Sequence, residues 1–460
     1  MSSLEGAREP SPTEPPLPAP DAENPTVQAA PAPAPAAGPA RMLRALRSRN
    51  YRLYFGGQGV SLVGTWMTRL ATSWLVYRLT GSALLLGVVS FAGQIPTFVL
   101  APFAGVLVDR VNRHRLLVWT QVLAMLQSFA MAGLALAGVI TIPEVIALSL
   151  FQGLVNAFDM PSRQAFLVEM VDRREDLGNA IALNSSLVNG ARLLGPSIGG
   201  VVIAAVGEGW CFFIDGASYL AVIASLLAMR VARRGAPPGA GTRGLHQLRE
   251  GWRYVTGFAP VRSILLLLAL VSLLGMPYTV LMPVVVGSTL HGGPALLGVM
   301  MAASGVGALC GALYLAQRTT ILGLGKVIVA MAALFGAGLV AFSFSRAAWL
   351  SAACLVFVGF GMMVQMASSN TIIQTVVSDA MRGRVMSFYS MAFMGMAPFG
   401  GLLAGALAHR IGATRTVAVS GAACVLAATW FASRLPTLRP LMRPLYREIG
   451  ILPPLEEEMA

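Results

Sequence analysis

Five charged residues stand in otherwise apolar runs of the chain: Arg69, Asp159, Arg163, Arg192 and Asp215. A charge in hydrocarbon costs about 3 kcal/mol or more, so such residues face partners or wet cavities and mark coupling sites and substrate paths. Asp159 and Arg163 are one helical turn apart, the spacing of an ion pair, and that pair is either structural or part of a coupling mechanism. Arg192 lies nearest the middle of its run and is expected to face a central cavity. Asp215 is about six residues from the end of its run and has two readings, a buried carboxyl or an interfacial residue that snorkels. Burial favours the neutral acid that a proton carrier requires, while a nearby cation favours the carboxylate. Asp215 has no basic residue within a turn in sequence and is favoured over Asp159 for protonation.

Other chemistries lack their residues. Cys211, Cys310, Cys354 and Cys424 are far apart, as are His114, His246, His291 and His409, so no metal site, disulfide framework or other cofactor is expected. Nucleophiles, acids and bases do not cluster at a membrane face as an enzyme would need. A nucleotide-driven pump needs Gly-x-x-x-x-Gly-Lys-Ser/Thr, and Gly323-Leu-Gly325-Lys326 lacks both the spacing and the hydroxyl.

The elements that must position these charges are membrane helices. The chain is 56% hydrophobic and only 12% charged, with mean hydropathy +0.69, more apolar surface than soluble cores can hide. Twelve apolar stretches, near 53–79, 83–109, 114–138, 143–165, 177–206, 209–231, 261–287, 294–317, 323–345, 348–376, 383–408 and 413–434, are long enough to span hydrocarbon and lack period-two alternation. The net charge of +13 does not indicate nucleic acid, because the arginines sit in short loops. With both termini cytoplasmic, 27 of the 33 basic residues fall on the inner side.

Five segments are expected: a disordered Pro/Ala-rich cytoplasmic tail at 1–47, a six-helix half at 48–234, a cytoplasmic linker at 235–260, a second six-helix half at 261–435, and a cytoplasmic tail at 436–460. In the linker, Leu245, Leu248, Trp252 and Val255 share one helical face, which reads as an amphipathic helix on the inner leaflet, with a solvated linker as the alternative. The halves echo each other. Leu85-Leu86-Gly87 recurs as Leu296-Leu297-Gly298, and Gly195-Pro196 with Gly199-Gly200 recurs as Ala397-Pro398 with Gly400-Gly401, as in transporters built by duplication.

Two motifs carry a family resemblance. Gly105-Val-Leu-Val-Asp109-Arg110-Val-Asn112-Arg113 resembles the loop motif of the major facilitator superfamily, with Asn112 in place of a glycine and tolerant of a left-handed turn. Gly195-Pro196-Ser197-Ile198-Gly199-Gly200 resembles the signature of exporters that work by antiport, and Pro196 among glycines predicts a bend or a tight packing contact. Together with Arg382-Gly383-Arg384 and Leu183-Asn184-Ser185, they resemble the enterobactin-exporter branch over about residues 48–435. The resemblance implies an all-α, twelve-helix major facilitator fold in the bacterial inner membrane that exports an amphiphilic small molecule, a siderophore or drug-like compound. Proton antiport and a monomer among membrane lipids are expected. It also implies that Gly105, Asp109, Arg110 and Arg113 form a latch that breaks when the cytoplasmic side opens. The usual fourth-span arginine is replaced by Ser149, and Gln58, Thr65, Arg69 and Thr72 stand where some exporters carry a first-helix acid. An importer on this fold and a non-transporting membrane sensor are the competing readings.

Asp109→Asn is expected to impair transport without affecting membrane insertion. Normal efflux at equal surface abundance would remove Asp109 from a latch role.

Overall fold

The computed structural model describes residues 43–230, 244–318, 320–448 and 450–451; the side chains at 101, 102, 106, 109, 244–248 and 448 lie outside that description. Long apolar runs satisfy their backbone groups internally as helices, and no strand occurs among the described residues. In chain order the helices are α1 (Arg49–Thr80), α2 (Ala83–Arg110), α3 (Arg113–Leu136), α4 (Ile142–Met170), α5 (Leu177–Val206), α6 (Glu208–Leu227) and the short α7 (Gly244–Gly257). They continue as α8 (Ala259–Thr289), α9 (Pro294–Ala316), α10 (Leu324–Phe344), α11 (Ala348–Val376), α12 (Asp379–Ile411) and α13 (Ala413–Glu448). Ten of them combine the length and hydropathy needed to cross a membrane, which makes this a multi-pass membrane protein. The other two long ones, α1 with 32 residues and α4 with 29, have the length but a more polar composition. They carry Gln58, Thr65, Thr68 and Arg69, and Gln152, Asp159 and Arg163, so the expected twelve crossings fit.

The expected boundaries shift in two places. Residues 44–47, assigned to the disordered tail, form a tight helical turn whose Ala45 is buried and whose Arg44 pairs with Asp176. The rest of that tail lies outside the described residues. At the other end α13 runs to Glu448, past the expected stop near 434. Pro436, Pro440 and Pro444 are four residues apart, so their missing N–H groups fall along one side of the helix and leave the other rows of hydrogen bonds intact.

The linker helix α7 forms as expected, although the side chains of Leu245 and Leu248 lie outside the described residues. It docks on the start of α12 through Glu250–Arg384 at 2.6 Å and Trp252 against Phe388. Val255 is buried in the core while Trp252 remains exposed, so one edge of the apolar face packs on the bundle and the other is left free.

Call the end of the bundle where α1 begins the near end, expected inside, and the opposite end the far end. Two single-residue links mark the far end. Gly207 joins α5 to α6 at φ +91° and Gly412 joins α12 to α13 at φ +89°, a left-handed backbone that glycine adopts without a Cβ penalty. The halves meet at this end. A Cβ on Gly87 of α2 would lie 2.7 Å from the Gly401 carbonyl of α12, and one on Gly405 would lie 2.7 Å from the Ala83 carbonyl. Across the molecule, a Cβ on Gly200 of α5 would lie 2.7 Å from the Pro294 carbonyl, and one on Gly298 of α9 would lie 2.6 Å from the Pro196 carbonyl. The two recurring motifs of the sequence are therefore the two sides of one contact, used twice. Each Leu-Leu-Gly segment packs on the glycine-rich segment of the opposite half, and absent side chains let the backbones approach.

A leucine at Gly87 or Gly298 cannot fit that contact. An overpacking cost of about 1–3 kcal/mol shifts a two-state balance about fivefold or more. Gly298→Leu is expected to raise labelling of a cysteine placed at Thr72, in a cysteine-free background, by an impermeant thiol reagent applied from the far side. Unchanged labelling would show that the crossing does not hold that end shut.

Candidate functional site

The acids are distributed unequally. From residue 261 to 447 the sequence contains one acid, Asp379 at the start of α12, so charge chemistry inside the bundle belongs to the first half. There the polar residues of α1, Gln58, Ser61, Thr65 and Thr68, recur every three or four positions on one face.

Asp215 lies two turns into α6 and is buried, 2% exposed. Its Oδ2 accepts hydrogen bonds from Thr68 Oγ1 at 3.0 Å and Ser128 Oγ at 2.9 Å, while its Oδ1 has no partner. A Cβ on Gly64 would come within 2.8 Å of Oδ1, so the glycine makes room for the carboxyl between α1, α3 and α6. Among the described residues no cation pairs with it, and at this burial its carboxyl does not snorkel to the surface.

Asp159, nearer the other end, is treated differently. Its Oδ1 accepts from Thr120 Oγ1 at 2.9 Å and Gln121 Nε2 at 2.5 Å, and its Oδ2 accepts from Arg163 at 2.6 Å. Both oxygens are satisfied and the charge is neutralised, as a buried ion pair requires. Tyr54 and Tyr219 lie beside the pair, and Tyr219, one turn beyond Asp215 on α6, lies within electrostatic reach of both acids. Unpartnered buried oxygens on Gln58 and Gln121 add to this polar seam within the half. Of these neutral groups the sequence pointed to Gln58 and Thr65 alone; for the rest of α1 its low hydropathy was the available signal.

The arginines form a second grouping. The guanidinium carbon of Arg69 lies 4.8 Å from the centroid of Trp66, and that of Arg192 lies 5.8 Å from the same ring. Arg192 also lies within electrostatic reach of Tyr278 on α8, whose hydroxyl is 2.7 Å from Ser304 Oγ of α9. Arg192 thus stands between the halves, whereas Asp159, Arg163 and Asp215 lie within the first.

At the near end, a Cβ on Gly105 would meet nothing within 4 Å among the described residues. The side chain of Asp109 lies outside the described residues. Arg110 is exposed, and Arg113 pairs with Glu169 of α4 at 3.0 Å. Asn112 adopts φ −68° rather than a left-handed turn, and its side chain caps α3 by accepting from Arg115 N at 3.0 Å. In the helix-bend motif, Gly195 faces Trp66 and Gly199 faces Met67 of α1, while Gly200 faces α9. Pro196 thus belongs to the tight contact that was one of its two expected outcomes.

Known proteins of similar sequence are transporters. A family model described as transmembrane secretion effector matches residues 41–444. The chain is 24% identical to the staphyloferrin A transporter of Staphylococcus aureus, over 83% of this chain and 96% of that one. It is 29% identical to the multidrug efflux pump Tap of Mycolicibacterium fortuitum, over 76% and 87%. Among solved structures, a POT family transporter in complex with 5-aminolevulinic acid superposes with a TM-score of 0.67 at 11% identity, covering 85% of this chain and 97% of that one. A bacterial homologue of the iron transporter ferroportin in its inward-facing state gives 0.64 at 16% identity, covering 84% and 98%. Those structural likenesses carry the fold alone, and the family match carries the assignment: the chain belongs to the major facilitator superfamily, in the family of transmembrane secretion effectors.

Proposed function

We infer that this protein exports an amphiphilic small molecule across the bacterial inner membrane by proton antiport and alternating access, with both termini cytoplasmic and a single copy sufficient. The efflux pumps among its relatives support the direction. The basic residues of the near-end loops support the orientation. Closure by glycine crossings at the far end is the geometry of a carrier presenting its site inward.

The observation that carries the coupling is the contrast between the two buried acids. Asp159 accepts from Arg163 and two further donors, so both of its oxygens are committed to a satisfied network. Asp215 has two hydroxyl partners on one oxygen, none on the other and no cation, so it is stable in the membrane as the neutral acid and poised to release its proton when water reaches it. Asp215 is the carrier in this reading, and Asp159 with Arg163 is a structural pair.

The test uses purified protein in proteoliposomes and, as substrate, the compound from an amphiphile panel that most raises its melting temperature. An imposed pH gradient is expected to drive accumulation that a protonophore abolishes. Asp215→Asn should lower gradient-driven transport at least tenfold while leaving gradient-independent exchange. Asp159→Asn leaves Arg163 without its counter-charge, a loss of about 3–5 kcal/mol that should appear as reduced folded yield, with the surviving protein still proton-driven. Full coupling in Asp215→Asn, or transport driven by sodium alone, would overturn the assignment.

A further inference from the structure

Trp66 is flanked by two guanidinium groups, and neither Arg69 nor Arg192 makes an ion pair among the described residues. The sum of the two ring distances bounds the separation of their carbons at about 10.6 Å. Like charges so placed repel one another. The nearby acids do not neutralise them: Asp159 is committed to Arg163, and Asp215 is turned to Thr68 and Ser128. Arg69 is exposed although it directly follows Thr68, the partner of the buried Asp215, on α1, as expected of a group on the wall of an internal, water-accessible space. Arg192 is half-buried on α5 beside Leu193, which lies 3.3 Å from where a Cβ on Gly305 of α9, in the opposite half, would sit. A protein that keeps two uncompensated cations on one aromatic ring inside a membrane has built a site for a ligand that brings negative charge and apolar surface together.

We propose that Arg69, Trp66 and Arg192 form the cargo subsite of this exporter and select an amphiphilic anion, a carboxylate attached to an apolar or aromatic body. The guanidinium groups take the carboxylate and the indole takes the body, with Tyr278 closing the site from the second half. The proposal rests on the export reading for its purpose but not for its test, which measures binding without any gradient.

The probes are 1-pyrenebutyrate, its primary amide of nearly the same size and shape, and 1-pyrenemethylamine, titrated by fluorescence anisotropy against the full chain in phosphatidylcholine nanodiscs, with empty nanodiscs as baseline. The carboxylate is expected to bind wild-type protein at least tenfold more tightly than the amide, and the amine more weakly than either. Arg69→Gln and Arg192→Gln should each remove most of the carboxylate's advantage while leaving amide binding unchanged, which a variant that merely misfolded would not do. Equal binding of carboxylate and amide to wild type, preference for the amine, no saturable binding, or an advantage that survives both substitutions would overturn the proposal. The wild-type comparison stands even if neither variant folds. Phosphatidylglycerol at a quarter of the lipid separates a cargo site from a headgroup site. Unchanged carboxylate affinity supports the proposal, and competitive loss assigns the arginines to lipid. Because no gradient is applied, failure here leaves proton coupling through Asp215 standing, and failure of that coupling leaves this subsite standing.

Discussion

Hydrocarbon solvates no charge, and this constraint arranges the interior of the bundle. Each ionisable side chain within the spans has met it in its own way. Asp159 and Arg163 neutralise one another within a single helix and recruit two donors from α3. Asp215 is surrounded by hydroxyls in a gap left by Gly64. Arg69 and Arg192 pair with no acid among the described residues and turn to the face of one indole. The three solutions differ in what they leave unfinished: nothing for the ion pair, one unpartnered oxygen for the buried acid, and no carboxylate among the described residues for the arginines.

That same constraint decided what could be read from the chain beforehand. The twelve helices were legible because spanning demands long apolar runs, and the duplication was legible because Leu-Leu-Gly and the glycine-proline segment recur intact. The five intramembrane charges stood out for the same reason. What the sequence withheld was pairing between helices. That Gly87 meets Gly401, or that Thr68 and Ser128 converge on Asp215, depends on crossings between segments tens to hundreds of residues apart, for which periodicity carries no signal. Trp66 was equally silent, since an aromatic in an apolar run reads as packing. Asn112 shows the limit of motif reading, because a residue standing for a glycine took up an unrelated task as a helix cap.

The second half is chemically quiet yet structurally irregular. In α8 and α12 the regular helix is interrupted by wider π-helical turns at Val271–Gly275, Val285–Thr289 and Met391–Gly395. Two of these face each other, with Ser272 Oγ donating to the Phe393 carbonyl, so a carbonyl in an irregular turn is satisfied from the neighbouring helix. Irregularity in one half and charge in the other divide the labour: one half supplies titratable groups, the other supplies helices whose backbone is already unevenly wound.

The one-residue link at Gly207 sets how movement travels through the first half. Consecutive Cα atoms stand about 3.8 Å apart, so α5 and α6 cannot part at that end without moving together. Helix α5 carries Gly200, seated on α9, and α6 carries Asp215 two turns from the joint. The joint is thus shared by two levers, one resting on the opposite half and the other holding the carboxyl to which Thr68 and Ser128 donate. This short stretch of backbone therefore ties the crossing that seats α5 on α9 to the helix that carries the buried Asp215 carboxyl.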